Sequence, residues 1–198
     1  FRLIKCLNLL FFPAIERLKQ TISKPDLMIM DKLDKEILRE IQKDGRLQLS
    51  KLAEILNRPR TTVATRLARL EGDKVITSYR AVIDPLKVGF SLLAFVLISV
   101  RRSAPSGGKS AQVVLVEKIL KDSDTDPRLP WIEEAYVITG HYDILLKVWA
   151  KDLRQLSYFL INYLPTHPDI AQTETMLVLE LVSDWRDRLL PIDKVLPD

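Results

Sequence analysis

Arg58-Pro59-Arg60-Thr61-Thr62-Val63-Ala64-Thr65-Arg66-Leu67-Ala68-Arg69-Leu70-Glu71 is the stretch on which the fold turns. Val63, Leu67 and Leu70 recur at i, i+4 and i+7, which predicts a helix over 60–71 with one apolar face. Upstream, Pro59 disfavours helix at the residue before it, so the preceding helix must end ahead of Asn57-Arg58. That helix is short, with Ser50 as expected N-cap and Leu52, Ile55 and Leu56 directed inward. Before it, Leu33, Ile37, Leu38 and Ile41 share a face over 33–44, between Asp31 as N-cap and Gly45 as stop. Three short helices with a tight turn between the last two form a helix-turn-helix pattern.

Arg58, Arg60, Arg66 and Arg69 fall in a stretch without an acidic residue, and the exposed positions among them are Thr61, Thr62 and Thr65. Guanidinium forks clamp phosphates or read guanine edges, and short hydroxyls permit close approach to a groove. A solvated helix face is the alternative, but such faces usually mix signs. Double-stranded DNA is the partner expected, with Ser50 at the interface and Arg46 and Lys51 as phosphate contacts. The charge distribution agrees: residues 1–30 carry +3, 31–75 carry +3 and 76–198 carry −2, within a formal net charge of +4.

After Gly72 the chain turns β-rich, and 76–90 is expected as a β-strand linker broken by Asp84-Pro85 and Gly89. Residues 91–183 then read as strand (91–101), Pro/Gly/Ser loop (103–108), helix (110–121), strand (132–139), strand (142–150), a helix capped by Asp152 that buries Leu153, Leu156, Phe159, Leu160 and Tyr163, and a last strand (171–182). This βαββαβ order is a ferredoxin-like split βαβ unit, and the fold class is α+β. Residues 1–30 are an N-terminal extension and 184–198 a tail.

The rest of the composition narrows the classes of function. Among 198 residues Cys6 is the one cysteine, so no intrachain disulfide closes and a reducing, cytoplasmic setting is expected. The longest apolar run, 90–100, is far short of the ~20 residues a spanning helix needs, so no membrane partner is expected. No catalytic residue is assigned and no cofactor expected: His141 lies in a tight turn, and His167 reads as an exposed loop residue. Asp122, Asp124 and Asp126 alternate like part of a calcium loop but lack its glycine and bidentate Glu, so no metal site is assigned.

A second candidate site lies at Val137-Ile138-Thr139-Gly140-His141-Tyr142-Asp143. Structurally, Gly140 supplies a turn position and Asp143 caps a hairpin. Functionally, exposed amides around Gly140 and the Asp143 carboxylate suit the two ends of a zwitterion.

Taken together these stretches resemble the Lrp/AsnC (leucine-responsive, feast/famine) transcription regulators over roughly 31–183. The matching segments are Leu33-Asp34-Lys35-Glu36-Ile37-Leu38, Asp44-Gly45-Arg46, Leu52-Ala53-Glu54, Arg66-Leu67-Ala68-Arg69-Leu70-Glu71, Val75-Ile76, Tyr79-Arg80-Ala81, Asp84-Pro85, Phe95-Val96, the run Thr139 to Lys147, and Thr173-Glu174-Thr175. The resemblance implies a winged-type helix-turn-helix over 31–75, a β-linker and an effector-binding, oligomerising domain. It implies homodimers assembling into octamers, and a small amino-acid effector bound near Thr139, Gly140, His141, Tyr142 and Asp143, with Thr173 and Thr175 as second-side contacts. The chain departs from the pattern where Pro59-Arg60 replaces a Ser-Pro pair, where Lys74 replaces a glycine, in the long segment 103–130, and in 1–30, which has no counterpart. Two other classes share the pattern: a sirohaem decarboxylase-like enzyme, for which two isolated histidines are a poor supply, and a DNA-organising protein without effector.

Overall fold

The computed structural model describes residues 30–101, 110–184, 186 and 188–192. The expected N-terminal extension up to residue 29, the loop 103–108 and the last six residues of the expected tail lie outside the described residues. The chain divides into two compact units, residues 1–80 with 189–198, and residues 81–188.

In the first unit, α1 (Lys32–Lys43), α2 (Leu49–Ile55) and α3 (Arg60–Gly72) pack around Ile37, Leu52, Ala53, Val63 and Leu70. Burying each of the Ile, Leu and Val side chains stabilises by roughly 1.5–3 kcal/mol. Asp31 caps α1 as expected, its carboxylate accepting the Asp34 N–H at 3.0 Å while the Asp34 carboxylate accepts the Asp31 N–H at 3.0 Å. This reciprocal box satisfies two donors that a helix start leaves unpaired. Ser50, in contrast, is not the cap of α2: Gln48 holds that position without a side-chain bond, because Leu49 already packs against the core. Ile55 is 47% exposed and Ala53 takes its place inside, since Leu49, Leu52, Ala53 and Leu56 set the inward arc. Part of the expected tail belongs to this unit. Leu190 donates its N–H to Gln42 Oε1 at 2.7 Å, and Ile192 is buried.

The end of α3 explains one departure from the family pattern. Val75 N–H bonds Leu70 O at 3.0 Å and Lys74 N–H bonds Glu71 O at 3.1 Å, a helix-closing motif that places Lys74 at φ +59°. Glycine takes that left-handed conformation without steric cost; lysine does not. The expected linker strand does not form: residues 77–84 carry no ladder, because a strand exists only against a neighbour and the described residues offer none there. Tyr79 instead donates its hydroxyl to Glu71 at 2.9 Å.

The second unit follows the expected order: β1 (Leu92–Val100), α4 (Ala111–Thr125), β2 (Trp131–Val137), β3 (Ile144–Ala150), α5 (Leu153–Ser157) and β4 (Ile170–Leu177). The sheet runs β2-β3-β1-β4 with every neighbour antiparallel. Val96, Ile98, Ile144, Leu146 and Val148 meet Leu115, Ile119, Leu156 and Phe159 in one core. Ser110 and Asp152 cap their helices, accepting the N–H of Val113 and Gln155. On the other face of the sheet, Lys147 is buried and held by Glu133 at 2.9 Å, and Trp149 Nε1 donates to Glu133 at 2.8 Å.

Several expectations are corrected in this unit. Leu153 is 64% exposed as the first residue of α5, while Leu156 and Phe159 are buried as expected. Strand β4 ends at Leu177, and Leu179 and Val182 beyond it stand in solvent. Asp122 and Asp124 lie in the last turns of α4, with Asp126 as its C-cap, so no loop presents them together. His167 is not an exposed loop residue: it is 5% exposed, with its ring edge-on to Tyr163 at 4.9 Å. No described helix is long and apolar enough to cross a membrane.

Candidate nucleic-acid interface and effector region

The turn between α2 and α3 is made by Asn57 at φ +48°, with Arg58 N–H returning to Ala53 O at 3.0 Å. It delivers Arg58, Arg60, Thr61, Thr62 and Thr65 to the exposed side of α3 and its approach. Thr65 turns its hydroxyl to Thr61 O at 3.0 Å, so its methyl faces outward. Ser50 and Lys51 are exposed in the first turn of α2, where Lys51 pairs with Glu54 at 3.0 Å, and Arg46 is exposed in the α1–α2 loop.

Arg66 and Arg69 are turned elsewhere. Three residues apart, they share the flank of α3 that faces α1, and both reach the carboxylate of Asp34, which has no exposed surface. Arg69 Nη2 is the close partner; Arg66 Nη1 is 3.5 Å from Asp34 and 2.8 Å from Asp31. The Asp34 N–H, with Arg66 adding to it, holds the Asp31 carboxyl below the usual carboxylate range. The sequence reading missed Asp34 as a site residue, although its place in the first turn of α1 put it one helix from the arginines.

In the second unit the turn after β2 is built on Gly140 at φ +134°, where no atom would meet an added Cβ. Thr139, Gly140 and His141 are exposed. Side chains tie the turn down at three points. Ser99 donates its hydroxyl to His141 O at 3.0 Å, Val100 donates its N–H to the Asp143 carboxylate at 2.7 Å, and Tyr142 donates its hydroxyl to Glu174. That last bond raises the Tyr142 phenol above its ordinary value.

Strand register divides the remaining candidates. Thr173 and Thr175 lie opposite Ile98 and Val96, on the helix side of the sheet, while Glu174 lies opposite Leu97 on the other. The structure thus joins Tyr142 to Glu174, which the sequence reading left out, and separates it from the two threonines. At the far end of the strands a hollow of about 240 Å³ is lined by Phe90, Trp131, Asp124, Lys151 and Gln155. Among the described residues no cluster of His, Cys, Asp or Glu is placed to hold a metal ion.

Comparison with known proteins accounts for both units. Residues 30–77 match a winged helix-turn-helix DNA-binding model, and 127–186 match the Lrp/AsnC ligand binding domain. The chain is 33% identical to an HTH-type transcriptional regulator of Pyrococcus abyssi over 79% of this chain and 89% of that protein. It is 30% identical to the leucine-responsive regulatory protein of Salmonella typhimurium, over 77% of this chain and 87% of the relative. A transcriptional regulator of Neisseria meningitidis, solved with L-Met, superposes with a TM-score of 0.71 at 25% identity, covering 85% of this chain and all of that one. With a winged helix-turn-helix in one unit, a match to the Lrp/AsnC ligand binding domain in the other and relatives aligned over most of its length, this chain belongs to the Lrp/AsnC family of DNA-binding transcriptional regulators.

Proposed function

We propose that the protein is an amino-acid-responsive regulator that binds double-stranded DNA as a homodimer in the cytoplasm. Arg60, Thr61, Thr62 and Thr65 read base edges, while Arg46, Ser50, Lys51 and Arg58 contact the backbone. The observation that carries the DNA half is the exposure of Arg58, Arg60, Thr61, Thr62 and Thr65 at the start of α3, in a stretch with no acidic residue before Glu71. The open sheet face, with Phe95 and Leu97 half-buried and Tyr136 and Met176 about half exposed, supplies the self-association surface, from which dimers build towards octamers. A two-fold pair of recognition helices then meets half-sites about one helical turn apart.

The effector reading rests on the exposed amides at Thr139, Gly140 and His141 beside Asp143, and the relative solved with L-Met supports its ligand class. Thr173 and Thr175 reach such a ligand only from the helix side of β4. A second seat for the same class is favoured by the hollow at Phe90 and Trp131, where Lys151 and Asp124 offer opposite charges. Selection of bound fragments from random duplex DNA, repeated with each amino acid, tests the function. Enrichment of a pseudo-palindrome whose yield changes with one amino acid supports it, and half-sites bound singly and indifferently to all of them contradict it.

A further inference from the structure

We propose that Asp31 holds Arg66 in reserve: it occupies, in the free protein, a guanidinium that a DNA phosphate takes over on binding, and so sets how tightly this domain grips DNA. The two arginines on the α1-facing flank of α3 differ in what retains them. Arg69 is the close counter-charge of Asp34, whose side chain has no exposed surface. If Arg69 left, a carboxylate would be stranded away from water, so it stays.

Arg66 is under no such constraint. Its near partner, Asp31, is 48% exposed at a distance of 2.8 Å, and its contact with Asp34 is long at 3.5 Å and duplicates what Arg69 already provides. Water can solvate Asp31 once Arg66 departs. Arg66 itself is 33% exposed and follows Thr65 directly on α3, at the edge of the DNA-facing side. A guanidinium keeps its charge at any working pH, so it changes partner, not protonation. Exposed ion pairs are weak and further weakened by salt, whereas each phosphate contact is driven by release of condensed counterions. The exchange therefore runs towards DNA, and the Asp31 carboxylate is the competitor it must displace.

Asp31 also caps α1, which makes a clean test available. Asparagine caps a helix as well as aspartate does, so Asp31→Asn removes the charge and keeps the cap. In the full chain, titrated against random-sequence duplex at low salt, Asp31→Asn is expected to tighten binding about two- to fivefold, the worth of an exposed ion pair, with a fall in thermal midpoint no larger than the loss of that one pair. Asp31→Ser, a second neutral cap, should give the same gain. Introduced alongside Arg66→Ala, Asp31→Asn should give little or none. Unchanged affinity in Asp31→Asn, or an equal gain with Arg66→Ala present, overturns the proposal, the latter because it would leave only the general loss of a negative charge near DNA.

Discussion

The N–H of Val100 donates to the carboxylate of Asp143 at 2.7 Å, at the point where the β1–β4 register slips between Ser99 and Val100. The β1–β3 ladder ends at Ile98 opposite Ile144, so that N–H, on the β3 side of β1, lies beyond it and Asp143 supplies the acceptor. A second bond, from Asp143 N–H to Ile98 O at 2.9 Å, fixes the same turn against β1. Asp143 is thus a structural group of the turn whatever binds there.

Two substitutions separate that role from ligand binding. Asp143→Ala should lower stability by about 1–3 kcal/mol with or without amino acid, because a part-buried N–H loses its acceptor. Asp143→Asn keeps an acceptor and removes the charge, so its thermal midpoint should stay near wild type while an ammonium ligand loses its partner. Calorimetry with amino acids on Asp143→Asn decides: undiminished heat would show that the ammonium is held elsewhere, with the hollow at Trp131 next to be tested.

Arg60 and Arg46 should respond differently to truncation. Arg60→Ala is expected to cost about 1–3 kcal/mol on the selected operator and to relax base preference, as for a base-edge reader. Arg46→Ala should weaken operator and random DNA alike and flatten the salt dependence by about one phosphate contact. Equal losses on both DNAs for Arg60→Ala would reassign it to the backbone.

Removing Arg69 should act on folding. Arg69→Met leaves the buried Asp34 with the neutral Asp31 N–H and the longer contact from Arg66, and a loss of about 3 kcal/mol is expected in urea unfolding. The double change Asp34→Asn with Arg69→Met should lose less than Arg69→Met alone, since no buried charge is then stranded. A normal unfolding curve for Arg69→Met would show that the pair is dispensable.

Lys74 sits at a left-handed backbone position that ordinarily favours glycine. Lys74→Gly relieves the steric cost but adds freedom to the unfolded chain, so a net gain of about 0.5–1 kcal/mol is expected. Thermal melts of the two chains check the sign.

Burial lowers the affinity of His167 for a proton, with Lys118 adding to it, while Asp122 and Asp169 act in the opposite sense more weakly. The unfolded chain therefore binds the proton more readily than the folded one. Stability from this residue is complete above the ordinary histidine value of 6.5 and is lost as pH falls below it. Urea midpoints between pH 7.5 and 5 should fall less steeply in His167→Phe than in wild type; parallel curves would mean that His167 does not titrate in this range.

The periodicity of Val63, Leu67 and Leu70, the caps at Asp31 and Asp152, and the glycine turn at 140 are all local properties, expressed within a few residues of chain, so the sequence alone determined the three helices, the split βαβ order and the turn. Other features depend on which neighbour an element meets. Helical spacing gave Arg66 and Arg69 a direction around α3 but not the buried carboxylate of α1 on that side, so the difference between Arg69, committed to Asp34, and Arg66, held mainly by the exposed Asp31, was not legible in the sequence. The same limit hid the burial of His167 behind Tyr163 and made residues 77–84 look like a strand when no ladder was there to receive them. Thr173, Glu174 and Thr175 read as one motif along the chain; the pairing of β4 with β1 put the acid on one face and the threonines on the other, because side chains alternate along a strand and only register fixes which side is which.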